Sequence, residues 1–321
     1  WADEQAVETP DSFTCGAGEV LMTGETPETL RYATTCGVAR CALVLPGVTV
    51  TVKDIPHVTG VKVSGAGQEI GGIPVEGGTE YRVLPGEDVY VGYTVEEGYA
   101  SKSENPLVCT NVESDVTVDA DAIQIVPIIP YRAWNEATQQ MEDRACTNYT
   151  VVAAGTTVFE GNQWYVVAND VICGAITVGD SAHLILCDGA TLTAVGDWGR
   201  DEAGIAVLAT DALEIYGQAL GTGELVAKGG QNAAGIGGKG GARGGSVRID
   251  GGRITARGGH GGAGIGAGGV AAAGLVGTVT VNGGIVTAAG GEYGAGIGGG
   301  MAGAGGTVTV NGGTVTAQGG D

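Results

Sequence analysis

The chain has 321 residues, carries a formal net charge of −21 and contains 63 glycines, whereas aromatic residues make up only 5% of it. Such an acidic chain repels nucleic acids and anionic membrane surfaces, so neither is an expected partner. No apolar run reaches the ~18–20 residues that a membrane-spanning helix needs, so membrane insertion is not expected either.

The first predicted segment, residues 1–54, is β-rich. The stretch GETPETLRYA is expected to begin a short helix, with Thr26 as N-cap and Pro27 in the first turn. The later stretch CALVLPGVTVTV has the composition of a strand. Three of the seven cysteines lie in this segment and permit a disulfide without identifying the pair: Cys15, Cys36 and Cys41.

Residues 55–126 are predicted to form a β-sandwich domain of the Ig-like kind. Stretches such as TEYRVLPGEDVYVGYTVEEGYA alternate apolar and polar residues between closely spaced glycine turns. The segment IVPIIPY contains two prolines and marks a domain boundary. Residues 127–178 are then predicted to supply the first, atypical coils of a solenoid and its cap, because an open coil presents unpaired strand edges.

Residues 179–321 contain a sequence repeat. TVTVNGGTVTAQGG near the end matches TVTVNGGIVTAAGG and SVRIDGGRITARGG, at a spacing near 30 residues. Two alternating strands in each repeat predict a parallel β-helix, one coil per repeat, with valines inside and threonines outside. The expected inward residues include three valines of the last repeat and three isoleucines of the recurring AGI segment: Val308, Val310, Val315, Ile236, Ile265 and Ile297.

Five residues share the predicted turn position of successive coils: Asp188, Tyr216, Asp250, Asn282 and Asn311. Stacked asparagines at such a position can hydrogen-bond from coil to coil. In this frame Leu184 and Leu186 face outward, so another part of the chain is expected to pack over them. Gly294, Gly296 and Gly299 satisfy GxGxxG, but alternating strand sequence follows instead of a helix, so no nucleotide cofactor is expected.

Six of the chain's 15 basic residues lie within thirty positions: Lys228, Lys239, Arg243, Arg248, Arg253 and Arg257. The repeat places Arg248, Arg253 and Arg257 at outward positions, where later coils carry Thr or Gln. Such a positive stripe on an acidic protein predicts a site for sialylated or sulfated glycans, because arginine binds these anions bidentately. The alternative is an internal salt-bridge face or a contact with the acidic N-terminal domain.

The sequence signals for catalytic residues are weaker than the signal for an anion-binding stripe. An aspartic protease normally carries a D-[TS]-G turn, and this sequence has none; Asp188 in CDGA and Asp180 in GDSA are the nearest matches. Asp188 also has a simpler role as a turn former. Asp197, Asp201 and Glu202 surround Trp198, which could stack on a sugar ring; the alternative is a solvated loop.

No metal site is expected. The cysteines form no CxxC pattern, and the histidines are isolated along the chain. His183 shares one strand face with Ile185 and Cys187, which favours a packed residue over a metal ligand.

The stretches YRAWNEATQQMEDRACTNYTVV, QWYVV, AHLILCDGATLTA and AGIGGG…GGTVTVNGGTVTA occur in residues 131–321. Together they resemble a family of secreted or surface Gly-rich β-helix proteins of gut bacteria, of the carbohydrate-binding, mucin-associated type. The resemblance implies an extracellular location and host or mucus glycans as partners. It also implies an alternative, a mucin-degrading hydrolase of the aspartic-protease type or, less favoured, a glycosidase. We expect a monomer.

Overall fold

The computed structural model describes residues 47–270 and 277–320 in full, together with the backbone of four strands within residues 6–46. The described residues form 35 strands and no α-helix, with a single 3-10 turn at Trp198–Arg200. They therefore also contain no helix that could cross a lipid bilayer. The chain divides into two compact units, Trp1–Ile128 and Ile129–Asp321. The prediction of an all-β protein is confirmed.

The first unit contains fourteen strands: β1 (Ala6–Glu8), β2 (Glu19–Gly24), β3 (Arg31–Ala33), β4 (Cys41–Pro46), β5 (Val48–Lys53), β6 (Val58–Gly65), β7 (Gln68–Ile70), β8 (Gly72–Val75), β9 (Gly78–Val83), β10 (Glu87–Val95), β11 (Tyr99–Ser101), β12 (Leu107–Val112), β13 (Val116–Val118) and β14 (Ile125–Pro127). Strands β1 to β4 form an antiparallel sheet in the order β1-β4-β2-β3. The predicted N-cap Thr26 and the side chains of the three N-terminal cysteines lie outside the described residues, so neither prediction is tested.

Two four-stranded sheets, β12-β10-β6-β7 and β13-β5-β9-β8, form a sandwich. Val50 and Tyr81 of one sheet share a single buried cluster with Val63, Val89 and Val91 of the other. The alternating burial along β10 reflects its period-2 sequence, which turns every second side chain inward. Strand β5 belongs to this sandwich although it falls within the predicted segment 1–54, so the sandwich begins before residue 55.

The second unit contains twenty-one strands: β15 (Ile129–Asn135), β16 (Gln140–Cys146), β17 (Thr150–Val151), β18 (Val158–Phe159), β19 (Gln163–Val167), β20 (Val171–Cys173), β21 (Ile176–Val178), β22 (Ser181–Leu186), β23 (Thr191–Val195), β24 (Ile205–Ala206), β25 (Ala212–Gly217), β26 (Glu224–Lys228), β27 (Ile236–Gly237), β28 (Ser246–Ile249), β29 (Arg253–Arg257), β30 (Ile265–Gly266), β31 (Thr278–Val281), β32 (Ile285–Ala289), β33 (Ile297–Gly298), β34 (Thr307–Val310) and β35 (Thr314–Gln318).

From β19 to β33 each coil contributes one strand to each of three parallel sheets, and β34 and β35 extend two of these sheets. The first sheet has the order β17-β19-β22-β25-β28-β31-β34, the second β20-β23-β26-β29-β32-β35, and the third β18-β21-β24-β27-β30-β33. Strands of successive coils lie side by side, and every such pairing is parallel. The predicted parallel β-solenoid is confirmed.

The stacked coils fill the interior of the solenoid with aliphatic side chains. Leu184, Ile215, Ile249 and Val281 occupy the same register position in successive coils, and each is fully buried. Val310 occupies that position in the last coil that the structure describes and is 52% exposed. The isoleucines of the AGI segments likewise stack in the third sheet. The predicted inward positions of the later coils are therefore correct.

The predicted repeat register is wrong by three residues in strand β22: Ile185, and not Asp188, pairs with Tyr216. Leu184 and Leu186 point into the core, and Ile185 faces outward, in register with Tyr216. Asp188 consequently does not occupy the turn position shared by Asp250 and the asparagines. The sequence AHLILC is apolar on both faces, so alternation along this strand cannot distinguish inside from outside.

The outer face of the first sheet is covered by the antiparallel hairpin β15–β16. Tyr131 and Cys146 of the hairpin pack against Val166, Ile185 and Tyr216. The covering layer expected over outward apolar residues is thus present, with Ile185 in place of the two leucines. The hairpin covers a side of the solenoid, whereas the sequence predicts a cap at its end; β15 even pairs with β25 in the middle of the sheet.

Candidate functional site

The second sheet presents a flat outer face with a central row formed by Thr193, Val226, Thr255, Thr287 and Thr316. Strand β29 adds two exposed cations to this face, Arg253 and Arg257, and strand β26 adds a third, Lys228. Because a strand projects every second residue to one side, these cations and the central row share one surface. We call this surface the second-sheet face.

Two of these cations stand directly opposite each other. Lys228 of β26 pairs in register with Arg257 of β29. Adjacent strands lie about 4.8 Å apart, and like charges opposite one another are unfavourable. The next residues in the same row, Val195 and Ala289, are neutral. No ion pair within the described part of the chain involves either cation.

Arg253 lies on the same face with a different neighbour. It stands in register with Glu224 on one side and Ile285 on the other. Lys228 thus stacks on Arg257, and Glu224 on Arg253. The positive charge of the face is concentrated on the Lys228–Arg257 row.

The exposed ring of Trp198 lies in the turn that follows Val195. The turn begins beside Lys228, because the backbone N–H of Gly196 donates a 2.8 Å hydrogen bond to the Lys228 carbonyl oxygen. Trp198 itself is 59% exposed. The carboxylate of Asp197 accepts a hydrogen bond from Gly199 N and holds the turn, so this acid is occupied structurally. Asp201 likewise accepts one from the backbone of the next coil.

The other predicted cations lie elsewhere, so the six do not form one stripe. Lys239 and Arg243 lie in the connection between β27 and β28, away from the second-sheet face. Arg248 belongs to β28 of the first sheet, beneath the hairpin. The predicted stripe fails because residues 248 and 253, though close in sequence, flank the corner between two sheets.

Arg248 forms an internal salt bridge, which is the alternative that the sequence left open. Its Nε and Nη2 atoms donate to the two carboxylate oxygens of Asp250, at 2.9 and 3.0 Å. Nη2 also donates to the Trp134 carbonyl oxygen in the hairpin, and Nη1 lies 3.8 Å from Glu136. Burial alone lowers the pKa of Arg248, but Asp250 outweighs it and raises that pKa. The Arg248 guanidinium therefore connects β28 to the hairpin.

Next to Arg248 lies a polar network that the sequence analysis missed. Nδ1 of His183 is 3.2 Å from the Glu214 carboxylate and 3.3 Å from the Tyr216 hydroxyl, which itself donates to Glu214. The hydrogen bond from His183 is the largest of several effects that lower the pKa of Glu214 to about 2. Burial, followed by the bond to Glu214, raises the pKa of Tyr216. A correct register for β22 would have placed His183, Glu214 and Arg248 in one row.

This network is poorly arranged for glycoside hydrolysis. A general acid must hold a proton near neutral pH, whereas the lowered pKa keeps Glu214 ionised. Asp250 is 1% exposed, and its oxygens are occupied by Arg248, Trp134 N and Asn282 Nδ2. Neither carboxylate is free to protonate a leaving group or to activate water.

Asp188 and Asp180 both serve in turns. The Asp188 carboxylate accepts hydrogen bonds from the backbone N–H groups of Leu220 and Thr222, at 3.0 and 2.9 Å, and from the Thr222 hydroxyl. Asp180 has a left-handed backbone, with φ at 50°, and its carbonyl oxygen accepts from Ala212 N. Throughout the described ranges, no second carboxylate hydrogen-bonds to Asp188. The pair shared by an aspartic protease is not formed there.

Thiol and metal chemistry also find no support in the fully described part of the chain. Burial raises the pKa of the Cys109, Cys173 and Cys187 thiols, which makes them poor nucleophiles. No group of three or more metal-binding side chains comes together in residues 47–270 and 277–320.

Together the fold and these surfaces define a parallel β-solenoid with a flat, locally cationic sheet face. No protein family, no curated protein and no solved structure matches the chain significantly.

Proposed function

We propose that the protein is a secreted or cell-surface solenoid that binds anionic glycans, such as the sialylated or sulfated chains of host mucus, on the second-sheet face. The observation that carries the proposal is the like-charge pair of Lys228 and Arg257, exposed and in register. An anion bound between them would relieve their repulsion, and arginine can donate two hydrogen bonds to one sulfate or carboxylate.

Two further features suit an extended glycan. The flat face offers a row of threonine hydroxyls beside the cations, and Arg253 lies across that row from Arg257. Trp198 lies at the margin, where its exposed ring can stack on a sugar. Binding is favoured over hydrolysis because Asp188, Asp250 and Glu214 are all held in hydrogen bonds that oppose acid–base work.

The test is binding to immobilised chondroitin sulfate, heparin and sialyllactose, with neutral lactose as the reference. We expect wild-type binding to weaken with salt and to fall about tenfold or more in K228A/R257A, because two charge-assisted contacts are removed. The control K53A/K62A removes the same net charge from the sandwich. Equal losses in the two variants, or no wild-type binding to any of the three anionic glycans, would overturn the proposal.

A second assay separates binding from the hydrolase alternative. Purified protein incubated with mucin at pH 4 and pH 7 is expected to leave the mucin intact. Mucin cleavage that disappears in D188N or D180N would establish an aspartic hydrolase instead.

A further inference from the structure

A cavity of about 360 Å³ lies between the end of the hairpin and the first full coil. Its walls come from the segment that leaves β16 and from the start of β19. The residues that line it are Tyr131, Ala145, Cys146, Thr147, Asn148, Asn162, Gln163 and Trp164. The volume lies within the range of small-molecule sites, ~300–1,000 Å³.

The lining of this cavity contains no charged residue. In a chain with a net charge of −21, an uncharged cavity is well suited to a neutral ligand. The side chains of Asn148, Asn162 and Gln163 make no hydrogen bond to another side chain in the described structure, and all three residues are exposed. Each amide offers both a donor and an acceptor, as the hydroxyl groups of a sugar require.

The aromatic part of the cavity is held in place from behind. The Trp164 ring stacks on His183, with centroids 4.4 Å apart, and on Tyr216, at 5.3 Å. Tyr131 lies 5.0 Å from Trp164 at an angle of 50°. The buried Tyr131 ring thus helps to fix the half-buried Trp164 ring before any ligand binds, which lowers the entropic cost of binding.

We propose that this cavity is a second binding site, specific for an uncharged sugar ring. The apolar C–H face of the sugar packs on Trp164, and its hydroxyl groups exchange hydrogen bonds with Asn148 and Asn162. The site is independent of the second-sheet face and does not require the anion-binding proposal to hold. A glycan with neutral and anionic units could then occupy the solenoid at two places.

The experiment is saturation-transfer NMR with galactose, glucose, mannose, fucose, N-acetylglucosamine and N-acetylgalactosamine. We expect saturation of ring protons in at least one of these sugars. Removing two amides in N148A/N162G should weaken binding of that sugar about tenfold, since each hydrogen bond contributes modestly; glycine keeps the left-handed backbone of Asn162, whose φ is 56°. The exposed amide control N169A/Q124A should bind like wild type.

The outcomes are distinct from those of the anion-binding test. K228A/R257A should keep the neutral-sugar signal, and N148A/N162G should keep binding to chondroitin sulfate. W164F retains an aromatic face and should keep partial binding of the neutral sugar. Absence of saturation for all six sugars, or an undiminished signal in N148A/N162G, would overturn the second site.

Discussion

Nδ2 of Asn282 donates a 2.7 Å hydrogen bond to the buried carboxylate of Asp250, which occupies the same position one coil earlier. Asn311 in turn donates to the Asn282 side-chain oxygen at 2.8 Å. The polar ladder predicted at this turn position is therefore present over three coils. Asp250 also binds Arg248 and the Trp134 backbone, so the ladder is tied to the covering hairpin.

The first prediction concerns the removal of that carboxylate. D250A leaves Arg248 without the buried carboxylate to which it donates and the Trp134 N–H without an acceptor, so it should lower the free energy of unfolding by about 3–5 kcal/mol. D143A removes a carboxylate that is 90% exposed in the side chain and should cost less than about 0.5 kcal/mol. Urea unfolding of both variants provides the measurement; equal midpoints would contradict a structural role for Asp250.

The second prediction follows from the lowered pKa of Glu214. Its pKa is about 2 in the folded protein, against 4.5 for an ordinary glutamate. A lowered folded-state pKa means that the carboxylate stabilises the fold fully above about pH 4.5, and that this contribution is lost as the pH falls towards 2. E214Q should therefore make the free energy of unfolding less dependent on pH within that window.

Chemical unfolding between pH 2 and pH 6 measures this effect as a difference between wild type and E214Q. E97Q, in an exposed turn, corrects for the general loss of one carboxylate. Parallel curves for wild type and E214Q would show that His183 and Tyr216 do not stabilise the ionised form.

The sequence predicts the later coils well because their alternation is clean. Val279 and Val281 alternate with exposed or half-exposed threonines, so one face is unambiguous. The same reasoning fails for strand β22, because its outer face is also apolar where the hairpin covers it. The hydrogen bond from Arg248 to Trp134 joins residues 114 positions apart. Local periodicity carries no information about such a contact.

The candidate site was likewise predictable from the sequence only in part. The row shared by Lys228 and Arg257 could be predicted, since both lie in regular repeats. The cavity beside Trp164 could not, because it forms where the hairpin end meets the atypical first coil.

The third prediction uses one register position in two coils. Val281 is fully buried, whereas Val310, its partner in the last coil, is 52% exposed. V281A removes two methyl groups and leaves a cavity between coils, so it should cost about 2–3 kcal/mol in the free energy of unfolding. V310A removes the same atoms from an exposed position and should cost well under about 1 kcal/mol. Equal losses of stability for V281A and V310A in thermal or urea unfolding would contradict the inward position of Val281.

The fourth prediction separates backbone conformation from crowding at a corner of the third sheet. Gly266 and Gly298 pair in register and have almost the same φ, +137° and +135°. A Cβ atom on Gly266 would lie 2.0 Å from the Gly298 carbonyl oxygen, whereas one on Gly298 would meet nothing closer than 3.6 Å. Both alanine variants incur the conformational cost of about 1–3 kcal/mol, but only G266A also forces two coils apart.

We therefore expect G266A to be less stable than G298A by a further ~1–3 kcal/mol, the usual cost of overpacking. Because the two variants share residue type, substitution and φ, their difference in urea midpoint reports the coil-to-coil contact alone. If the two midpoints coincide, the backbones of neighbouring coils do not approach as closely at Gly266 as the stacking of the third sheet requires.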